Sequence, residues 1–302
     1  MDVRPIRKPA EQELLIAIHN AVESDDPIAL EDHRAHLSSA RDSAEFLAWD
    51  EGRAVGKADV AIEPTREIPY AHIHVLPDER RRGAGSALYA AVSAWARQRG
   101  REEIEVPVRD DDEESLAFAE RRGFRENGRE RGLALDLTTL APPAVAAPDG
   151  IEIVTWADRP ELAGAIYDVY LESVVDIPGE EDYEIEPFEG WLAHDMSGPG
   201  DKPEATFVAL AGDEVVGYSK FSLTSAQPKV AHHDLTAVKR AWRNKGIARA
   251  LKEAQIAWAK RAGYEQLRTR NEERNTPIRK LNARFGYKPA PGRIYLRGPV
   301  AS

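Results

Sequence analysis

The sequence predicts an α+β fold that is built twice, each copy being a mixed twisted β-sheet flanked by helices. Three observations lead to this prediction. A shift of 163 positions brings the glycine turns and the segments after them into register without a gap, taking Gly83 to Gly246 and Gly123 to Gly286. A stretch rich in proline and alanine separates the halves. Strand-like and helix-like segments follow one another in the same order on either side of it, as expected for a duplicated layer of helices on a sheet.

The stretch between the copies covers residues 141–150. Because proline interrupts both helices and central strands, this stretch is predicted to be a semi-rigid linker. We therefore expect an N-terminal domain over residues 1–140 and a C-terminal domain over residues 151–302. A chain of 302 residues is long enough for two domains of ordinary size.

Each copy contains the same succession of predicted elements. A short strand comes first, two helical stretches follow, and a hairpin comes next, with turn residues at Asp50–Arg53 and at Ala211–Glu214. A further strand then leads through a glycine turn into a helix, and a strand, a helix and a closing strand complete the copy. Apart from the hairpins and closing strands, the predicted elements cover 3–7, 11–20, 28–39, 70–76, 86–99, 102–108 and 113–122 in the first copy, and 151–155, 161–173, 189–194, 231–238, 249–262, 266–271 and 276–284 in the second.

Composition excludes several classes of function. Cysteine is absent, which excludes disulfides, thiolate nucleophiles and cysteine metal sites, and no His-Glu-x-x-His pattern indicates a metal site. The net charge of −11 disfavours nucleic acid and is compatible with cationic small molecules. The sequence has no apolar run of membrane-spanning length and no apolar signal segment near its start. We therefore expect a cytoplasmic protein without nucleic-acid or membrane partners.

A turn at the start of a helix is the clearest chemical feature of both copies. The pattern Arg-x-x-Gly-x-(Gly/Ala) occurs at Arg80–Gly85 and at Arg243–Ala248, each time after a predicted strand. A helix N-terminus presents unpaired N–H groups and the positive end of a dipole, so it binds anions. Small residues let the backbone approach phosphate oxygens closely. The alternative is a basic, solvated helix start, but recurrence of the same order in both copies favours a phosphate site.

With these turns the chain resembles the GCN5-related N-acetyltransferase (GNAT) family in its tandem-domain form, and the second copy resembles it more strongly. The resemblance implies acetyl-CoA as cofactor and direct transfer of its acetyl group to a small-molecule primary amine. It implies that the cofactor contacts Ala237, Val238, Arg243, Asn244, Lys245, Gly246, Ile247, Ala248 and Asn275 in the second copy, and Val75, Arg80, Arg82, Gly83, Ala84, Gly85 and Ser86 in the first.

The resemblance also implies catalytic groups. A backbone N–H of the strand before the turn polarises the thioester carbonyl, a base takes the amine proton, and an acid protonates the departing thiolate. His232, followed by His233 and Asp234, stands at the place of the base, and only one of the two histidines can face the cleft because adjacent strand residues face opposite ways. Asn282 replaces the family's acidic tyrosine, and Tyr287 and Tyr295 are possible substitutes. Core packing is the alternative for Tyr287, and a structural hydrogen bond is the alternative for a histidine.

The segment 179–191 carries carboxylates and aromatic side chains between the first two helices of the second copy. In the family this region lines the acceptor site, so Glu184, Tyr183 and Trp191 are predicted to hold a cationic amine by charge and cation–π contact. The alternative is a solvated acidic loop over an aromatic core cluster.

The two copies are predicted to differ in role. In the first copy Pro69 stands at the place of the base, Asp112 replaces the asparagine and Ala119 replaces the tyrosine. We therefore expect a catalytic C-terminal domain and an N-terminal domain that binds CoA but is degenerate. The alternatives are an acetyltransferase similar to mycothiol synthase, a tandem member acting on an amino sugar conjugated to cysteine, and a non-catalytic CoA-binding or sensory protein. We expect a monomer or a homodimer.

Overall fold

The computed structural model describes residues 1–178 and 184–301. The chain divides into two compact units, which we call the N-terminal unit (residues 1–129 and 292–302) and the C-terminal unit (residues 130–291). The boundaries of these units differ from those of the predicted domains, 1–140 and 151–302. The predicted domains follow the two sequence copies and stay a prediction.

The elements follow the predicted order in both copies. In chain order they are β1 (Asp2–Pro5), α1 (Pro9–Val22), α2 (Leu30–Ser39), β2 (Asp42–Asp50), β3 (Arg53–Ile62), β4 (Tyr70–Val75), α3 (Ala84–Arg97), β5 (Glu103–Arg109), α4 (Glu113–Glu120), β6 (Arg125–Asp136), β7 (Ile151–Thr155), α5 (Ala163–Val174), α6 (Phe188–His194), β8 (Phe207–Ala211), β9 (Glu214–Ser222), β10 (Val230–Val238), α7 (Ile247–Arg261), β11 (Gln266–Glu272), α8 (Thr276–Arg284) and β12 (Lys288–Pro299).

The sheet of each unit is mixed, which confirms the predicted α+β class. In the N-terminal unit the strand order is β1-β2-β3-β4-β5-β12, and in the C-terminal unit it is β7-β8-β9-β10-β11-β6. The first four strands of each sheet pair antiparallel. The next strand, β5 or β11, pairs in parallel with β4 or β10. A parallel step needs a crossover connection, and α3 and α7 supply it.

The two sequence copies exchange their closing strands. Residues 130–136 of β6, from the first copy, pair antiparallel with β11 inside the C-terminal unit. Residues 293–299 of β12, from the second copy, pair antiparallel with β5 inside the N-terminal unit. Both closing strands are 12 residues long, so the sequence repeat does not reveal which sheet each one completes.

The helix after each glycine turn packs against its sheet. In α3 the side chains of Leu88 and Val92, one turn apart, are fully buried, and Leu251 of α7 is fully buried in the C-terminal unit. Ile294 and Leu296 of β12 belong to the core on which α3 packs. Among the described residues, no helix combines the length and the apolar character needed to cross a membrane.

Candidate active site

A gap opens between two parallel strands in each unit. In the C-terminal unit β10 pairs with β11 from Val230 to His232, and β10 then continues to Val238 without further described pairing to β11. In the N-terminal unit the corresponding pairing of β4 with β5 is recorded at Tyr70 and Glu105. In the described part of the chain, backbone groups beyond these pairings face the gap, where they can bind an extended ligand lying between the strands.

A β-bulge distinguishes the C-terminal gap from the N-terminal one. Thr236 lies opposite Ser219 and His233 lies opposite Phe221, so Asp234 and the residue after it both face Lys220 alone. The pairing of β3 with β4 runs without such a shift. A bulge locally re-aims side chains and backbone groups, and bulges are over-represented beside active sites. The two copies therefore differ in backbone geometry at the end of the strand that precedes the turn.

The two predicted turns have the same backbone conformation. Asn244 and Gly246 have φ angles of 62° and 88°, and α7 begins immediately after them; Arg81 and Gly83 have φ angles of 63° and 93°, and α3 begins immediately after them. Left-handed residues in such a turn direct successive N–H groups into one anion-binding concavity. Each helix begins two residues earlier than predicted, directly after the glycine of its turn. The turns therefore fit a diphosphate.

Gly217 lies opposite the last residue of β10 and Gly56 lies opposite the last residue of β4. Neither glycine was predicted as a site residue from the sequence. A Cβ on Gly217 would lie 2.8 Å from the carbonyl oxygen of Ala237, and a Cβ on Gly56 would lie 2.9 Å from that of His74. Only glycine lets the neighbouring backbone approach so closely. A glycine inside a strand pattern was the signal that could have identified these positions.

The first arginine of each turn is held by protein groups. The guanidinium of Arg243 donates from Nε to the carbonyl oxygen of Val238 at 2.9 Å, and that of Arg80 donates to Val75 at 3.4 Å. Arg82 pairs with Asp50 at 2.9 Å. The contacts with Val238 and Val75 tie the first arginine of each turn to the strand before it.

Two of the predicted catalytic side chains, His233 and Tyr287, lie in the packed core. Tyr287 donates its hydroxyl hydrogen to Nε2 of His233, and Nδ1 of His233 donates to Oε1 of Gln255 at 3.1 Å. Burial lowers the pKa of His233 well below its usual range and raises that of Tyr287 well above its own. Both rings are less than a tenth exposed, and this position argues against the catalytic role predicted for them.

Asp234 and His232 lie differently from His233. Asp234 is exposed at the bulge, and His232 is half-buried and follows the alternation of the strand to the opposite face from His233. These two residues thus remain the candidates for proton transfer among the four predicted.

A buried lysine pairs with Asp234. Nζ of Lys220 lies 2.9 Å from Oδ2 of Asp234, 2.9 Å from Oδ1 of Asp201 and 3.5 Å from Oδ1 of Asp195. Desolvation raises the pKa of Asp195 to about 7, with Lys220 opposing and the other two carboxylates reinforcing the shift. Three carboxylates thus surround one buried ammonium group in this cluster, which sequence reasoning missed because its members come from separate elements.

The predicted substrate residues do not form the expected cage. Trp191 is 1% exposed and packs on Tyr167, Tyr170 and Phe188 with ring centroids 5.1, 5.7 and 6.1 Å apart. Its burial favours the core-cluster alternative. Glu184 is exposed, whereas Tyr183 lies outside the described residues.

The helix after β11 carries the remaining predicted residue. Asn275 is half-buried at the N-cap of α8. Asn282, at the place of the family's tyrosine, is fully buried and donates from Nδ2 to Oδ1 of Asn271 at 2.7 Å. It braces α8 against β11 and cannot supply a proton as an acid.

The N-terminal unit contains a cavity of about 720 Å³ beside its turn. Five of the predicted cofactor residues line it, namely Val75, Arg80, Gly83, Gly85 and Ser86, and Val106 and Val108 of β5 form the facing wall. The volume lies in the range of small-molecule and cofactor sites. Turn, gap and cavity together fit the phosphates and the arm of one CoA molecule.

Glu23 anchors a buried ion-pair network at the edge of this cavity. Its carboxylate accepts from Nη2 of Arg293 at 2.9 Å and lies 3.6 Å from Nε2 of His74. Burial alone would raise the pKa of Glu23, but the nearby imidazole of His74 and the charge of Arg293 lower it below its usual value. The ionised carboxylate therefore stabilises the folded N-terminal unit.

Glu23→Gln should destabilise the N-terminal unit by about 1.5 to 3 kcal/mol at neutral pH, because it removes the charged partner that lies nearest to Arg293, which keeps the longer contact with Asp26 at 3.4 Å. A pKa lowered on folding gives stability above the unfolded value of 4.5, which is lost as the pH falls below it. The difference between the two proteins in urea unfolding should thus be largest at pH 7 and shrink below about pH 4.5. Glu126→Gln, which disrupts an exposed pair with Arg129, is the matched control. An equal effect of both changes, or a difference that grows towards acid pH, would contradict this account.

Comparison with known proteins agrees with the geometry. The model of the acetyltransferase (GNAT) family matches residues 10–124 and 164–287. The mycothiol acetyltransferase of Catenulispora acidiphila is 28% identical over 229 residues, which cover 73% of this chain and 69% of that protein. A GCN5-related N-acetyltransferase structure from Sphaerobacter thermophilus has a TM-score of 0.77 at 22% identity, covering 100% of this chain and 96% of that one. A tandem GNAT protein from the clavulanic acid biosynthesis pathway has a TM-score of 0.79 at 21% identity, covering 100% and 99%.

Proposed function

Because this chain belongs to the acetyltransferase (GNAT) family and uses acetyl-CoA, we propose that it moves the acetyl group directly to a small-molecule primary amine and that the C-terminal unit carries out the transfer. The observation that carries this assignment is the bulge at Asp234. It lies on β10, which borders the gap, and Asp234 pairs there with the buried Lys220. The N-terminal unit has the turn and the gap without the bulge.

Acetyl-CoA, when bound, would supply a thioester whose carbonyl carbon accepts the amine nitrogen while its C–S bond breaks and CoA leaves as the thiolate. The N–H groups of Asn244–Ala248 hold its phosphates, and a backbone N–H at Ala237 or Val238 stabilises the charge that develops on the carbonyl oxygen. Asp234 or His232 takes the proton that the amine loses. The surplus of carboxylates around Lys220 favours a cationic acceptor in the approach to the site.

The N-terminal unit binds a second acetyl-CoA in this proposal but does not catalyse transfer. Its β4 lacks the bulge, and Asp112 stands where the C-terminal unit has Asn275. The carboxylate of Asp112 caps α4, because it accepts a hydrogen bond from the backbone N–H of Ser115 at 3.0 Å.

A second candidate function concerns the acceptor. The similarity to a mycothiol acetyltransferase over 73% of the chain favours the precursor of that thiol as the amine. Replacement of the tyrosine by Asn282 does not depend on the acceptor, so it leaves both candidates open.

The test is release of free CoA thiol from acetyl-CoA in the presence of a panel of primary amines that includes the mycothiol precursor. Turnover with one or several small amines supports the proposed function, and turnover with the precursor alone supports the narrower one. Tight binding of acetyl-CoA without thiol release on any amine would contradict both and favour a CoA-binding or sensory protein.

A further inference from the structure

Asp176, two residues past the end of α5, binds two arginines at the C-terminal turn. Its carboxylate accepts from Nε and Nη2 of Arg240 at 2.8 and 2.6 Å, and from Nη1 of Arg243 at 2.7 Å. Glu172 of α5 accepts from the backbone N–H of Arg240. Hydrogen bonds from Arg240 and then Arg243 lower the pKa of Asp176 to about 2. The end of α5 thus brings a permanently ionised carboxylate to the turn.

Arg240 and Arg243 precede the phosphate-binding N–H groups of Asn244–Ala248 in the sequence, and Lys245 lies among them. A guanidinium binds carboxylate and phosphate through the same planar fork of donors. Asp176 uses this fork on Arg240 and a further donor of Arg243, and its charge cancels one of the two positive charges. A phosphate at the turn therefore meets a weaker positive field than the two arginines alone would give.

Among the described residues, no ion pair links the N-terminal turn to its first helix in the way that Asp176 links α5 to the C-terminal turn. Its Arg80 pairs instead with Asp112 at 3.4 Å and with Glu114 at 3.2 Å, both at the start of α4. Both turns thus have a carboxylate on their first arginine, but it comes from the start of α4 in the N-terminal unit and from the residues after α5 in the C-terminal unit.

We propose that Asp176 competes with the phosphates of the coenzyme for Arg240 and Arg243, which lowers the affinity of the C-terminal turn for acetyl-CoA and for CoA alike. This inference rests on the proposed function, which puts acetyl-CoA on that turn. Acetyl-CoA and CoA carry the same phosphates, so weaker phosphate binding at the turn lowers the affinity for both equally. This favours release of CoA without changing the chemical step.

The test uses the Gly83→Glu protein, in which only the C-terminal turn can bind, and measures the dissociation constants of acetyl-CoA and CoA by calorimetry at low and high salt. Asp176→Asn in this background should tighten both ligands by about threefold to tenfold, and the gain should shrink as salt is raised. Asp176→Ser should act in the same direction, because it also removes the charge. Asp176→Glu, which keeps the charge, should stay close to the parent.

Glu214→Gln is the matched control, since Glu214 pairs with Lys239, the neighbour of Arg240 in the chain, at 3.0 Å and leaves the contacts of Asp176 intact. It should change either dissociation constant by less than about twofold. Unchanged or weaker binding in both the Asn and Ser variants, or equal tightening in Glu214→Gln, would overturn the inference. A Gly83→Glu protein that binds no acetyl-CoA at all would instead contradict the proposed function.

Discussion

Gly246→Glu should lower kcat/KM for amine acetylation by about 100-fold or more. Gly246 has a φ angle of 88°, which costs an L-residue about 1 to 2 kcal/mol. The new carboxylate would also lie beside the N–H groups that hold the phosphates and would repel them. The measurement is thiol release with the best amine of the panel, together with calorimetry of acetyl-CoA.

The same change in the other turn is the matched control. Gly83 has a φ angle of 93°, so Gly83→Glu introduces the same strain and the same charge in the N-terminal unit. We expect it to remove one acetyl-CoA site while transfer stays within about twofold, because the bulged strand of the C-terminal unit is untouched. Loss of transfer in Gly83→Glu with full transfer in Gly246→Glu would reverse the roles of the two units.

Removal of residues 292–302 should unfold the N-terminal unit while the C-terminal unit stays folded. The deletion takes away the strand that pairs with β5, together with Ile294 and Leu296, which are 5% and 4% exposed. Truncating one such side chain to alanine costs about 2 to 5 kcal/mol, and whole domains are stable by only about 5 to 15 kcal/mol. The loss of both side chains and of a full strand should therefore exceed the free energy of unfolding of the unit.

Hydrogen exchange resolved by peptide measures this result. Amides of residues 1–129 should lose protection in the truncated protein, whereas those of 130–291 should keep theirs. Leu296→Ala is the graded version and should weaken the N-terminal unit without abolishing it. Protection retained in residues 1–129 after truncation would contradict the exchange of closing strands.

The class of fold and the position of the turns were predictable from the sequence, because both depend on local chemistry. A glycine before a helix and an arginine three residues earlier give the turn in either copy, and the structure has both turns where the pattern placed them. The cofactor follows from the same residues together with the family, and that prediction is confirmed.

The bulge and the exchanged strands were not predictable, because they depend on pairing between distant segments. Gly83 and Gly246 differ by 163 positions, whereas Gly56 and Gly217 differ by 161. Gly56 pairs with Val75 at the end of β4, and Gly217 pairs with Val238 at the end of β10. A bulge adds a single extra residue to one strand, and no particular residue type is required for it, so it could not be predicted from the sequence.

The orientation of neighbouring strand residues was predictable only as an alternation. The sequence required His232 and His233 to face opposite ways, but which of them faced the core depended on the packing of Phe221 and Tyr287 around His233. The same limit applies to Trp191, whose aromatic neighbours on α5 and α6 bury it. Tertiary packing decides between a binding residue and a core residue when the side chain suits both.

The most direct test of the account is the number of acetyl-CoA molecules that one chain binds, measured by calorimetry on the unaltered protein. Two turns of the same conformation, each opening a helix beside a gap in its sheet, predict two sites per chain, with Gly83→Glu and Gly246→Glu each removing one. No binding at all, or a single site that survives Gly246→Glu, would contradict it.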